Sequence, residues 1–123
     1  MRVTLKQKNL SITPSLRAYI DAKLVVPVKK LISRTAGGEL PILDIEVART
    51  TIHHRKGMVF YAEANMSLGK RLIRVEAEDE DIHAAIDALK DELEGRIKSL
   101  KEKITSLERS RGRKAKQSLR QKS

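Results

Sequence analysis

The sequence contains no cysteine and no tryptophan, and it has no long apolar run. Without cysteine the chain cannot form disulfides, thiolate metal sites or a cysteine nucleophile, which agrees with a reducing compartment. No segment approaches the ~20 apolar residues that a membrane-spanning helix requires. The first ten residues carry no signal-peptide pattern. We therefore expect a cytoplasmic protein with no membrane segment.

Acidic residues are outnumbered, and basic residues are present in excess. The 123 residues include 26 Lys and Arg against 16 Asp and Glu, a formal net charge of +10, and this excess predicts a polyanionic partner. Seven basic residues and no acidic one lie between residues 109 and 123; without them, 19 basic and 16 acidic residues remain. The sequence therefore predicts a folded domain over 1–107 and a basic tail over 108–123 that is ordered only on a partner.

Aromatic residues are scarce, and at least two of the three, Tyr19, Phe60 and Tyr61, fall on apolar faces of predicted elements. Binding of single strands by base stacking needs exposed aromatic side chains. The shortage favours contacts with the phosphates and the shape of folded RNA instead.

Local patterns predict the first two elements. Alternating apolar and polar residues indicate a strand over 2–8. Thr13-Pro14 then indicates a helix start, because Thr is a favoured N-cap and Pro is tolerated in the first turn. An apolar stripe continues this helix over 14–33, and we expect a bend near Pro27, whose ring clashes with the preceding turn.

The middle of the chain alternates with a period of two residues. This pattern predicts strands over 43–52, 58–68 and 72–77, separated by turns at Gly57 and Gly69. Two successive hairpins imply an antiparallel meander.

An acidic cluster at 78–81 suits the N-terminus of a helix, where backbone N–H groups favour negative charge. One apolar face continues from Ile82 to Leu107 and predicts a helix over 80–106. The order is β-α-β-β-β-α, which predicts an α+β fold: a two-layer sandwich with a four-stranded sheet covered on one face by two helices.

Several short stretches resemble a known family. These are Ile12-Thr13-Pro14 followed by Leu16-Arg17 and Lys23-Leu24, His54 and Gly57 before a strand, and the stretch 80–87, Glu-Asp-Ile-His-Ala-Ala-Ile-Asp. In this order they resemble the ribosome hibernation-promoting factors, also called ribosome-associated inhibitors or sigma-54 modulation proteins, over about 1–105. The family fold is β-α-β-β-β-α and is similar to a double-stranded-RNA-binding domain.

The resemblance implies a translation inhibitor. Family members bind the small ribosomal subunit in the decoding groove, overlap the paths of messenger RNA and tRNA, and inhibit by steric occupancy without chemistry or cofactor. Long members carry a further C-terminal domain that dimerises. This chain looks like a short form, which we expect to be a monomer away from the ribosome.

The resemblance also implies that basic side chains on the exposed flanks of both helices contact rRNA phosphates. Where the family often reads Lys-Leu-Glu-Arg-Gln, this chain has Glu-Leu-Glu-Gly-Arg at 92–96, so two expected cations are missing there. At 100° per residue, one pair of basic residues lies on each flank of the second helix and could replace them. The predicted RNA-binding residues are Arg17, Lys23, Lys29, Lys30, His54, Lys90, Arg96, Lys101, Lys103, Arg109, Arg111, Arg113 and Lys114.

Other interpretations of these residues remain open. The helical charges could form i,i+4 pairs, Glu92 with Arg96 and Glu94 with Lys98, on a solvated surface. Asp87 is interpreted as structural. His53 and His54 would point to opposite faces of a strand, and no cysteine or clear third ligand accompanies them and His83, so no metal is expected.

Two other functions compete with ribosome binding. The apolar positions from Ile86 to Leu107 are spaced near 4,3,4,3, which would allow a coiled coil in a protein-interaction adaptor or sigma-factor modulator. An enzyme is least favoured, because no nucleophile–base pair or phosphate-binding glycine loop is present.

Overall fold

The computed structural model describes residues 1–32, 40–51 and 58–121, with side chains for 1–32, 40–50 and 59–112. The strands are β1 (Arg2–Lys8), β2 (Ile42–Thr51), β3 (Met58–Leu68) and β4 (Arg71–Asp79). The helices are α1 (Pro14–Ile20), α2 (Val26–Ile32) and α3 (Ile82–Gln121), and a π-helical turn (Asp21–Val25) joins α1 to α2. The predicted order β-α-β-β-β-α is confirmed. The predicted turn at 53–57 and the predicted helix end at Ser33 lie outside the described residues.

The four strands form one mixed sheet in the order β1-β2-β3-β4. β1 pairs in parallel with β2, and β2, β3 and β4 pair antiparallel, which confirms the predicted meander. A parallel pair requires a crossover connection, and the segment from α1 to α2 supplies it. Gly69 turns the chain between β3 and β4 with a φ of +61°, a conformation that glycine adopts without steric cost.

The core lies between one face of the sheet and the helices. The strand register places the apolar residues in rows across β2, β3 and β4, so that they form one continuous surface. The helices cover this face, which confirms the two-layer architecture. The buried strand residues of the core are Leu43, Ile45, Val47, Ala62, Ala64, Met66, Ile73 and Val75, and those of α3 are Ala85, Ile86, Leu89, Leu93 and Ile97.

The first helical region begins where the sequence predicts. Thr13 is the N-cap of α1, and its Oγ1 accepts a hydrogen bond from the backbone N–H of Leu16 at 3.1 Å. Pro14 occupies the first turn, where its missing N–H leaves no gap in the hydrogen-bond pattern.

The π-helical turn keeps the apolar residues of this region on one side. A spacing of four residues drifts by about 40° per step in a regular α-helix, so five such positions would rotate away from the core. A π-helical turn, with i→i+5 bonds, contains more residues and reverses part of the drift. The five buried positions are Leu16, Ile20, Leu24, Val28 and Ile32.

The π-helical turn also precedes Pro27, where we predicted a bend. The N–H of Val26 donates to the carbonyl of Asp21, five residues earlier. Pro27 has no N–H and its ring crowds the preceding turn, so the change of helix type falls where the regular α-helical pattern cannot continue.

The acidic lead into α3 caps the helix, as predicted. Asp81 Oδ1 accepts the N–H of His83 at 3.0 Å, and Asp79 Oδ1 accepts the N–H of Asp81 at 2.9 Å. α3 itself begins at Ile82 rather than Glu80, because β4 continues to Asp79.

The predicted end of this helix at residue 106 is wrong, since α3 continues to Gln121. The last buried residue of α3 is Ile97, and Leu100 packs partly against the core. The residues beyond are rich in Arg and Lys, which favour helix without tertiary contacts. Helix therefore extends through the segment for which we expected no fixed structure, while the division into a domain and a basic tail stays a prediction.

Within the described ranges, the helices include none that is both long and apolar enough to cross a membrane.

Candidate nucleic-acid interface

The first helical region exposes four cations. Arg17, Lys23, Lys29 and Lys30 are all exposed, as the predicted RNA-binding role requires. The stretch from α1 to α2 contains one acidic residue, Asp21, so its net charge is positive. Four cations against one carboxylate make this region a basic surface of the described domain.

The cations of this region lie on more than one side of the helix. Arg17 and Lys29 each follow directly after a buried position, and Lys23 precedes one. Because adjacent helical residues differ by about 100°, Arg17 and Lys29 share one flank and Lys23 lies on the other, towards α3.

A cluster of polar and aromatic side chains joins this second flank to α3. The hydroxyl of Tyr19 donates a hydrogen bond to Asp87 Oδ1 at 2.6 Å. The rings of Tyr19 and His83 meet edge to face with centroids 4.5 Å apart. Lys23 Nζ stands over the Tyr19 ring, 5.9 Å from its centroid. The hydrogen bond to Asp87 raises the pKa of Tyr19, because the carboxylate disfavours a phenolate.

Two predicted RNA-binding residues of α3 have intramolecular partners. Lys101 Nζ donates to the backbone carbonyl of Leu31 near the end of α2. Lys90 Nζ lies 3.9 Å from Glu94. Both side chains are half-buried, and Lys101 therefore has a structural role that the sequence did not indicate.

Arg96 and Lys103, on the opposite flank of α3, are exposed. Of the two i,i+4 pairs weighed from the sequence, neither is among the ion pairs of the described part of α3, and Glu94 lies near Lys90 instead of Lys98. Arg96 is thus available to an external anion.

Of the remaining predicted residues, the structure describes the side chains of Arg109 and Arg111. Arg109 and Arg111 are exposed on the part of α3 that extends beyond the core. The side chains of Arg113 and Lys114, and all of His54, lie outside the described residues.

The uncovered face of the sheet is acidic over β2, β3 and β4. On this face β2, β3 and β4 carry five carboxylates and one guanidinium, and the register places Glu46, Glu63 and Glu76 side by side. Arg74 pairs with Glu63 and with Glu76, each at 2.8 Å. The other two carboxylates are Asp44 and Glu78.

Glu63 is the centre of a network on that face. It accepts hydrogen bonds from Tyr61 at 3.1 Å and from Asn65 at 3.2 Å, and its side chain is only 12% exposed. Burial, followed by the charge of Glu63, raises the pKa of Tyr61 to about 12. This network was not predicted, although the period-two alternation already places its members on one face.

The helical side therefore differs in charge from the part of the uncovered face that β2, β3 and β4 form, while β1, at the edge of the sheet, exposes Arg2, Lys6 and Lys8. The helical side presents exposed cations, whereas the sheet surface over β2, β3 and β4 repels phosphate. The helical side is the candidate nucleic-acid interface. In the part of the chain that the structure describes, no three His, Asp or Glu side chains are grouped so that they could hold a metal ion.

A model of the family described as sigma 54 modulation protein / S30EA ribosomal protein matches residues 3–105. The chain belongs to this family. The match spans the β-α-β-β-β-α unit from β1 to a point in α3 just beyond Leu100, the last residue that packs on the core, and it confirms the resemblance noted in the sequence. None of the curated proteins compared with this family member matches it significantly.

Solved structures share the fold of this family member. The N-terminal domain of Protein Y from Thermus thermophilus is 32% identical, with a TM-score of 0.62 over 81% of this chain and 99% of that domain. A ribosomal subunit interface protein from Coxiella burnetii is 22% identical, with a TM-score of 0.59 over 82% of this chain and 98% of the other. The second similarity concerns the fold alone.

Proposed function

We propose that this protein associates with the ribosome in the cytoplasm and inhibits translation by occupying the decoding groove of the small subunit. The observation that carries the proposal is the family match over residues 3–105, which covers the four strands, α1, α2 and the part of α3 that packs on the sheet. The 32% identity to the N-terminal domain of Protein Y supports it.

The helical side is the surface that we propose to contact rRNA. Its exposed cations, among them Arg17, Lys29 and Arg96, can neutralise phosphates, and such contacts position a protein on RNA without reading its sequence. Inhibition then follows from the volume of the domain, which excludes messenger RNA and tRNA. No chemical step or cofactor is involved.

The distal part of α3 adds a second basic region. Seven basic residues and no acidic one follow residue 108. We propose that this segment, 109–123, strengthens binding through further phosphate contacts, whereas the domain determines where on the ribosome the protein binds.

Co-sedimentation with purified small ribosomal subunits over a salt series tests the proposal. We expect binding at low salt that weakens steeply as salt rises, because each phosphate contact releases counterions. Messenger RNA and initiator tRNA should compete with the protein. Absence of the protein from the small-subunit fraction at low salt would refute ribosome binding, and binding without competition would refute the decoding groove as its site.

A second candidate function is a protein-interaction adaptor or sigma-factor modulator. The observation in its favour is that α3 extends beyond the core with Leu107 45% exposed. Sedimentation equilibrium of the full chain and of a chain truncated after Leu100 tests it. An adaptor that pairs through this helix should self-associate and lose that ability on truncation, whereas an unchanged monomer would exclude the coiled coil.

A further inference from the structure

Tyr19 lies where the first helical region meets α3, and contacts on two sides hold it there. On one side its hydroxyl donates to Asp87 at 2.6 Å, and its ring meets the ring of His83 at 82°. On the other side Lys23 Nζ stands 5.9 Å from the ring centroid. The tyrosine is thus fixed by α3 while its ring attracts a cation from the π-helical turn.

The attraction of the Tyr19 ring for Lys23 orients the ammonium without cancelling its positive charge. An ammonium over an aromatic ring is held by the ring's quadrupole, and the ring carries no formal charge that could cancel it. Lys90 differs, because the Glu94 carboxylate offsets its charge. Lys101 keeps its charge, but its ammonium is half-buried and directed to the Leu31 carbonyl instead of solvent. Lys23 is exposed, so an oriented and uncancelled charge faces solvent.

The local helix geometry brings the two residues together. Tyr19 precedes the π-helical turn and Lys23 lies within it, four residues later. The larger number of residues per π-turn places these two positions nearly one above the other. The same change of helix type that keeps Leu24 in the core therefore aligns Lys23 with Tyr19.

We propose that Tyr19 is a positioning residue of the RNA-binding surface: bound to Asp87, it holds the Lys23 ammonium where it meets an rRNA phosphate. The inference rests on the proposed function, since a phosphate partner gives the position of Lys23 its importance. Tyr19 acts through Lys23 and makes no RNA contact of its own. A long lysine side chain that is already ordered loses less entropy on binding.

NMR of the free full-length protein tests the positioning without ribosomes. The ring current of Tyr19 should shift the ε-protons of Lys23 upfield from those of an exposed lysine. Tyr19→Leu should abolish this shift, and Tyr19→Phe, which keeps the ring and loses the hydrogen bond to Asp87, should reduce it. The matched control Tyr61→Phe should leave it unchanged. An ordinary lysine shift in the wild-type protein would overturn the positioning.

Binding to purified small subunits tests the consequence. Tyr19→Leu should weaken affinity about two- to tenfold, the cost of ordering one long side chain, with the salt slope unchanged because the charge of Lys23 remains. Lys23→Ala should instead lower the salt slope by about one. In the Lys23→Ala background, Tyr19→Leu should have no further effect. An equal loss in both backgrounds would show that Tyr19 acts through stability and would overturn the proposal.

Failure of the proposed function is recognisable separately. A wild-type protein that shows the upfield Lys23 shift but does not bind small subunits would refute ribosome binding, and the RNA role of Tyr19 with it. A protein that binds small subunits but shows no shift would refute the role of Tyr19 alone.

Discussion

Basic side chains on the two faces of this domain differ in whether carboxylates neutralise them. On the helical side Lys23 and Arg17 stay exposed and available to a polyanion, whereas on the sheet side Arg74 is held between Glu63 and Glu76. Residue type alone does not distinguish an exposed cation from an ion-paired one. The difference arises from the carboxylates that the strand register places beside Arg74.

Tyr61 should titrate well above an ordinary tyrosine. Burial and the neighbouring Glu63 raise its pKa to about 12, whereas in the unfolded chain it titrates near 10. Between these values the folded state retains the Tyr61 proton while the unfolded state loses it. The contribution of Tyr61 to the free energy of unfolding should therefore be fully present below pH ~10 and decrease as the pH rises from 10 to 12. Phenolate absorbance of the wild type and of Tyr61→Phe measures this. Ordinary titration of both tyrosines near pH 10 would contradict it.

Removal of Glu63 should destabilise the protein. Glu63→Ala leaves Arg74 with one carboxylate and leaves Tyr61 and Asn65 without their acceptor, so we expect a loss of about 1–3 kcal/mol in the free energy of unfolding, as for other hydrogen-bonded charged groups. Urea denaturation measures it. The matched control Glu92→Ala removes an exposed glutamate of α3 and should change stability by less than about 0.5 kcal/mol. Equal effects of the two substitutions would show that the network contributes nothing.

At the scale of elements, the sheet was predictable and parts of the helices were not. β1 and β3 have the bounds that alternation predicted, because apolar and polar side chains alternate along a strand that is buried on one face and exposed on the other. The end of α3 was predicted too early, because the segment after residue 106 has few apolar side chains to bury and was therefore taken to be non-helical. The bond between Lys101 and Leu31 joins residues 70 positions apart, and no local pattern contains it.

The π-helical turn was missed although the sequence contains its signal. Five apolar residues at a constant spacing of four, from Leu16 to Ile32, do not fit the 3.6-residue period over that length. The prediction assigned the irregularity to Pro27 alone. The exposed cations could be named from the sequence, but the partners of Lys23, Lys90 and Lys101 could not, because those partners depend on how the two helices pack.

The distal part of α3 should contribute to binding but not to folding. Truncation after Glu108 removes seven basic residues and no buried side chain of the described structure. We expect weaker binding to small subunits, a smaller salt slope and a nearly unchanged melting temperature. Co-sedimentation and thermal denaturation measure the two effects. Equal salt slopes for the full and truncated chains would refute a role of this segment in binding.

For the whole molecule, the charge asymmetry predicts which side meets the ribosome. Arg17→Ala with Lys29→Ala removes two charges from the helical side, and Lys6→Ala with Lys8→Ala removes two exposed charges from β1. Both double variants lose the same net charge. We expect only the first to lower the salt slope of small-subunit binding, by about two.

Salt-dependent co-sedimentation of the two double variants measures this difference. Hydroxyl-radical footprinting of the protein on small subunits should likewise protect α1 and α2 and leave the outer surface of the sheet reactive. Equal losses in both double variants would mean that net charge, and not its placement, governs binding.

α3 has a geometric consequence for the two proposed contact regions. The helix runs from the core to Gln121 without interruption, and the 21 residues after Leu100 span about 32 Å at 1.5 Å per residue. A flexible linker would let the basic end explore many distances from the domain, whereas a continuous helix sets one. The protein is then suited to a pair of anionic surfaces at a fixed separation, and distance becomes a criterion by which it can select its binding site.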